Sequence, residues 1–182
     1  MALSLEQSEV TVLSMAPVTA SGILRELTRL GVKRVILLSD TTYAGSDTLA
    51  TSRILSTALK QIEYDLILCG RQSIDGDTAQ VGVEVAALSN IPYITSAMSL
   101  SVTGRTVKCT TRSAQAEKAL PALVTVERIN VLRRPSIRSK AGEIEIWDNR
   151  RLKIPNELCG LAGSPTRVIQ TYKNECGKRK CR

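Results

Sequence analysis

The sequence predicts an α/β protein built on parallel strands and ending in a basic segment. Three observations carry this. Short aliphatic runs alternate with stretches of helical periodicity through about residue 95, the pattern of βαβ units. Val35-Ile-Leu-Leu38 is apolar on both faces, as a strand covered by helices on each side must be. The chain has 182 residues, 43% hydrophobic and 23% charged, which is globular composition and length enough for one core.

The elements follow in order. Val10-Thr-Val-Leu-Ser14 is a strand closed by Ala16-Pro17. From Val18 to Leu30 the apolar positions Ile23, Leu24, Leu27 and Leu30 recur at helical spacing, with Gly31 at the C-cap position. Val35–Leu38 is the second strand. A helix from about Asp47 to Ile62 carries a stripe of Ala50, Ile54, Leu55, Ala58, Leu59 and Ile62. Asp65-Leu-Ile-Leu-Cys69 is the third strand, Gly70 to Asp77 a loop, and Thr78 to Leu88 a helix with Val81, Val85 and Leu88 on one side. Tyr93-Ile-Thr95 is a fourth strand. Met98–Thr103 and Thr106–Thr111 flank Gly104-Arg105, which suits a hairpin, and Ala122-Leu-Val-Thr-Val126 is another buried strand. After Arg128 the chain is basic and irregular, with Pro135, Pro155 and Pro165. Such a stretch reads as an arm lying on something else, so residues 1–127 are expected as the α/β domain and 128–182 as a loop and C-terminal arm.

The chain holds no His, which excludes Ser-His-Asp and Cys-His nucleophiles, an HExxH zinc site and an imidazole base. No catalytic residue is assigned. The chain reads as a binding or carrier protein rather than a stand-alone hydrolase. Its five cysteines, Cys69, Cys109, Cys159, Cys176 and Cys181, include no CxxC pair, so no metal site is expected. Cys176 and Cys181 read as free thiols in a basic end. A reducing, cytoplasmic setting is the simplest reading. The N-terminus lacks a signal-peptide pattern and no apolar run is long enough for a membrane span.

Charge is uneven. Residues 1–91 carry a net of −3 and residues 92–182 a net of +11. A basic half can face nucleic acid, nucleotide phosphates or an acidic partner. Aromatics at 3% argue against nucleic acid, since single-strand binding uses aromatic stacking platforms.

Two segments can carry a ligand. Gly70-Arg-Gln-Ser-Ile-Asp-Gly-Asp-Thr-Ala-Gln-Val81 leaves the carboxyl end of a strand and opens a helix, where open α/β sheets bind ligands. Asp77 is the expected N-cap, with Gln80 completing a capping box. Gly70 and Gly76 allow close backbone approach, and the helix amides are left to receive a phosphate. The segment is neither a Walker A loop nor GxGxxG, so a capped helix after a polar turn is the competing explanation. In Tyr43-Ala-Gly-Ser-Asp-Thr-Leu-Ala-Thr-Ser52, Ser46 or Asp47 caps a second helix, and Thr48, Thr51 and Ser52 place hydroxyls along its first turns. Two such helix starts on one sheet edge would frame a dinucleotide-sized crevice.

Tyr64-Asp-Leu-Ile-Leu-Cys-Gly-Arg-Gln-Ser-Ile-Asp-Gly-Asp-Thr-Ala-Gln-Val-Gly82, then Glu84-Val-Ala, Ile91-Pro92, Leu120-Pro-Ala-Leu-Val-Thr-Val126 and Gly160-Leu-Ala-Gly-Ser-Pro-Thr-Arg-Val168, closely resemble the beta subunit of electron transfer flavoprotein over roughly residues 9–172. The resemblance implies a three-layer, adenine-nucleotide alpha-hydrolase-like parallel sheet and a heterodimer with an alpha subunit. It implies a cofactor site at Gly70, Arg71, Gln72, Ser73, Ile74, Asp75, Gly76, Asp77, Thr78, Ala79, Gln80 and Val81, with Asp47, Thr48 and Thr51, for AMP or FAD. The backbone from Asp75 to Gln80 would hold the phosphates. Asp75 and Asp77 would shape the loop. Arg71 is either a phosphate contact or a solvated surface residue, and Cys69 is a small core residue. Ala44–Ser52 resembles the electron-bifurcating branch, whose beta subunit holds FAD and meets NADH. Arg128-Ile-Asn-Val-Leu-Arg-Arg-Pro-Ser-Ile-Arg138 aligns with the loop that docks on acyl-CoA dehydrogenase-type partners, although it is more Arg-rich and has Val131-Leu132 where an acidic-Pro step is usual.

Family members begin about fifty residues earlier, with a parallel strand, a Val-Pro-Asp-like turn and a helix. That strand would lie between Val10–Ser14 and Asp65–Cys69, and its loss is expected to leave both neighbours unpaired and nucleotide weakly bound. Two other readings remain: a flavin-free nucleotide-binding regulatory module, and a basic nucleic-acid-binding protein.

Overall fold

The computed structural model describes residues 1–74, 76–127 and 133–167. Its strands are β1 (Thr11–Met15), β2 (Arg34–Leu38), β3 (Leu66–Gly70), β4 (Tyr93–Ala97), β5 (Ser99–Thr103), β6 (Thr106–Thr110), β7 (Gln115–Ala119), β8 (Ala122–Val126) and β9 (Glu145–Trp147). The α-helices are α1 (Ser21–Thr28), α2 (Thr48–Leu59), α3 (Val81–Leu88) and α4 (Asn149–Leu152).

The expected parallel pairing is present, but among the described residues the strands do not form one continuous sheet. Two three-stranded parallel sheets, in the orders β1-β2-β9 and β3-β8-β4, stand beside an antiparallel β5-β6-β7 meander. The central strands are the most apolar ones. Ile36, Leu37 and Leu38 of β2 are fully buried, each contributing about 1.5–3 kcal/mol of burial. In β8 Ala122, Leu123, Val124 and Thr125 are buried, and the Thr125 hydroxyl accepts from the Ser96 amide at 2.9 Å. By contrast, all five residues of β1 are only half-buried, and so are Leu66 to Cys69 of β3. Among the described residues β1 pairs only with β2, and β3 only with β8.

Helix α1 begins at Ser21 after a 3-10 turn at Val18–Ala20, three residues later than the periodicity predicts. Its stripe is incomplete, because Ile23 is 76% exposed. Helix α2 matches its expected bounds closely and buries Ala50, Ile54, Ala58 and Leu59.

Residues 143–164 overturn the expectation of an arm. Glu145–Trp147 adds to β2 as a parallel strand, and Trp147, Leu152, Ile154 and Cys159 join Ile36, Leu38, Tyr43 and Ile54 in one core cluster. The segment is too short and polar to announce itself, yet it supplies the only tryptophan in the chain. An ionic clamp fixes it. Arg34 donates to both Glu145 oxygens at 2.5 and 2.8 Å, Trp147 Nε1 donates to Glu145 at 2.9 Å, and the Arg151 guanidinium sits 3.6 Å from the Trp147 ring centroid.

Hydrogen bonds from Arg34 hold the Glu145 carboxyl at about 2, below the ordinary 4.5, against a smaller upward push from burial. A depressed carboxyl stabilises the fold above its unfolded value and loses that contribution as pH falls through the folded one. Glu145→Gln is therefore expected to lower Tm at neutral pH. The gap from the parent should narrow between about pH 4.5 and pH 2, as read by thermal melts in a pH series.

Candidate functional site

The two helix starts singled out in the sequence lie side by side. Thr48 Oγ1, at the start of α2, donates to Glu84 Oε1 at 3.1 Å and lies 3.3 Å from Gln80 Oε1. Ser52 Oγ donates to Glu84 Oε2 at 2.8 Å and lies 3.3 Å from the Val81 carbonyl. Glu84 in the first turn of α3 is thus the residue that ties the two helices, and sequence reasoning assigned it no role. Its one signal is a carboxylate in an otherwise apolar helix.

Helix α3 starts at Val81 rather than Thr78. The cause is backbone conformation: Asp77 and Ala79 take φ of +48° and +56°, left-handed values that end any helical path. Asp77 is not the N-cap. That place falls to Gln80, whose side chain makes no capping hydrogen bond. The first intrahelical bond runs from the Glu84 amide to the Gln80 carbonyl at 2.9 Å, so the amides of Val81, Gly82 and Val83 have no partner within the helix.

The loop before it is exposed throughout its described part, with Ile74 99% exposed. Gly76 N donates to Ser73 Oγ at 3.2 Å, Asp77 N to the Ser73 carbonyl at 3.1 Å, and Gln72 Nε2 to Asp77 Oδ1. Thr78 is exposed, and Asp75 lies outside the described residues. Gly70 ends β3. Arg71 turns away from the helix start: its guanidinium donates to Glu127 at 3.2 Å and lines a 460 Å³ cavity with Arg112 and Lys118.

At the second helix start Asp47 is the cap, accepting from the Ala50 amide at 3.0 Å. Its other oxygen accepts from the Thr166 amide and hydroxyl at 3.1 and 2.8 Å, while its own amide donates to Ser164 Oγ at 2.8 Å. Partial burial raises this carboxyl, but the Ala50 and Thr166 donors outweigh it and hold the group below its usual range. The carboxylate is therefore committed to the chain itself. Thr51 is half-buried.

Cys69 is half-buried and packs against the Leu59, Val85, Ala86 and Leu123 cluster. Burial pushes its thiol up to about 11, far from thiolate chemistry. No helix among the described residues is long and apolar enough to cross a membrane. Of the expected docking loop Arg128–Arg138, residues 128–132 lie outside the described residues. The remainder is exposed, with Arg133 donating to the Leu3 carbonyl at 3.0 Å.

The family profile described as Electron transfer flavoprotein domain matches residues 1–152. The chain is 37% identical to the electron transfer flavoprotein subunit beta of Thermoanaerobacterium thermosaccharolyticum, over 90% of this chain and 66% of that protein. It is 36% identical to protein FixA of Azorhizobium caulinodans, over 90% of this chain and 65% of that protein. It is 34% identical to the caffeyl-CoA reductase-Etf complex subunit CarD of Acetobacterium woodii, over 91% and 67%. The chain thus spans about two thirds of the length of these relatives.

Gly82 sets how closely α3 lies on the sheet. A Cβ there would stand 2.8 Å from both Cys69 Sγ and Thr125 Cγ2. Gly82→Ala is expected to destabilise the chain by about 1–3 kcal/mol through overpacking, measured as a lower urea midpoint with unchanged slope.

Proposed function

Because the chain belongs to the electron transfer flavoprotein family, we propose that it is the nucleotide-holding beta component of a two-subunit electron carrier. One observation supports this most directly: the uncapped first turn of α3 opens on an exposed loop beside the start of α2. Amides in that position attract a pyrophosphate by hydrogen bonding and by the helix dipole. The chemistry of the residues present fits FAD or AMP at its phosphates. When bound, a flavin supplies the electron-transfer chemistry.

The protein's part is positional. The amides of Val81, Gly82 and Val83 would hold the phosphate oxygens. Asp77 and Ala79 bend the loop so that these amides stay open, and Thr48 holds Gln80 against the neighbouring helix. Backbone strain of this kind costs about 1–3 kcal/mol per residue and concentrates at ligand clamps. Arg71 is left out of the cradle because its guanidinium is paired with Glu127.

An alpha subunit completes the carrier in this reading, and the basic loop around Arg133–Arg138 steers it onto an acidic acyl-CoA dehydrogenase-type surface. The likeness of Ala44–Ser52 to the bifurcating branch, together with the relative named for a caffeyl-CoA reductase-Etf complex, favours FAD over AMP and NADH as electron donor.

The test is co-expression with an alpha subunit of the same family, followed by a visible spectrum of the purified complex. Flavin bands in excess of one per heterodimer support FAD here, and a colourless complex without nucleotide overturns the reading. Gln80→Asp should place a carboxylate over the α3 amides. Nucleotide affinity is then expected to fall about tenfold or more, the scale of one charge-assisted hydrogen bond, while the added cap leaves Tm unchanged or higher.

A further inference from the structure

A second cavity, of about 300 Å³, lies on the outer side of α2, away from the helix starts. Its walls come from Arg53, Ser56, Thr57 and Lys60 of the α2 region, Leu88 at the end of α3, and the stretch Lys153–Pro155 with Leu158. Three features set it apart. Three of its lining residues are cationic and none is acidic, and no ion pair engages Arg53, Lys60 or Lys153 among the described residues. Its floor is apolar, with Leu88 and Leu158 left 43% and 39% exposed. Ser56, only 4% exposed, holds a hydroxyl with no hydrogen-bond partner among the described residues.

Each feature is a cost that the same occupant removes. A buried hydroxyl without a partner is unfavourable, three neighbouring cations repel, and apolar side chains stand in water. We propose that this cavity binds a small organic anion with a hydrocarbon body, of the short fatty-acid class. Its carboxylate would be held by Lys60, Lys153 and Arg53, its chain would cover Leu88, Ile154 and Leu158, and the Ser56 hydroxyl would gain an acceptor. The volume is at the small end for ligand sites, which excludes long-chain lipids. Residues 168–182 are a poor occupant, since they hold five basic side chains against one acidic and would add to the cationic repulsion.

The test uses the full chain and sodium octanoate in calorimetric titration at low salt. The expected result is saturable one-to-one binding that weakens with ionic strength. The neutral analogue octanamide should bind at least about tenfold more weakly, the loss of a charge-assisted contact. Lys60→Ala combined with Lys153→Gly is expected to weaken octanoate by a similar factor. Both positions are exposed, and Lys153 has φ of +55°, so the pair should leave the circular dichroism melt intact. Ser56→Ala should weaken octanoate as well. Absence of saturable binding, equal binding of octanamide, or unchanged binding by the lysine double variant would each overturn the proposal.

Discussion

The packing of α2 against α3 is the contact on which the remaining architecture rests. The two parallel sheets share no ladder hydrogen bond among the described residues, so nothing in the strands themselves joins them. What joins them is a cluster of Leu59, Val85, Ala86 and Leu123, into which Leu13 of β1 and Ile67 of β3 both pack. At its upper end the apolar contact gives way to polar ones, where Glu84 accepts from Thr48 and Ser52. A helix of eight residues has little stability of its own, so α3 is held by these contacts and by its close seat over Gly82. The same contacts aim its open amides. The fold and the α3 start therefore depend on one interface.

That arrangement also explains the uneven burial of the sheets. β2 and β8 are flanked on both sides and consist almost wholly of buried aliphatic residues, whereas among the described residues β1 and β3 each pair on one side only and stay half-exposed. Unpaired edges are templates for further strand addition. Hydrophobic contact between Leu13, Ile67 and the helix pair bridges the two edges.

What the sequence made legible follows from where the signal resides. β2 and β8 were readable because burial on both faces demands an apolar run, and α2 because its stripe spans three turns. β7, Gln-Ala-Glu-Lys-Ala, was not, since exposed meander strands tolerate residues with no strand preference. The start of α3 was misread because a capping box at Asp77 needs an extended Asp77 and a right-handed Ala79, and both take left-handed φ. In the site, Asp47 was legible as a cap from local spacing. Its second commitment, to Ser164 and Thr166, joins residues about 117 apart, and no local pattern reports such a contact.

The tie between Asp47 and the 160–166 turn makes the C-terminal part of the chain a wall of the site region rather than an appendage. Gly160 takes φ of +52° with the Thr42 and Ala44 carbonyls so near that a Cβ would meet them at 2.4 and 2.8 Å, a conformation and an approach that only glycine allows without strain. Its amide donates to Ser46 Oγ at 3.1 Å, and its carbonyl accepts from Ser164 Oγ at 2.6 Å. The turn is thus hydrogen-bonded to the segment immediately before α2, and Asp47 is anchored by it. Residues 160–166 thus share hydrogen bonds with the α2 start, and Thr48 and Ser52 link that helix to Glu84 of α3. Composition marks this half of the chain as the basic half with few apolar runs, but its small residues, not its charges, connect it to the start of α2.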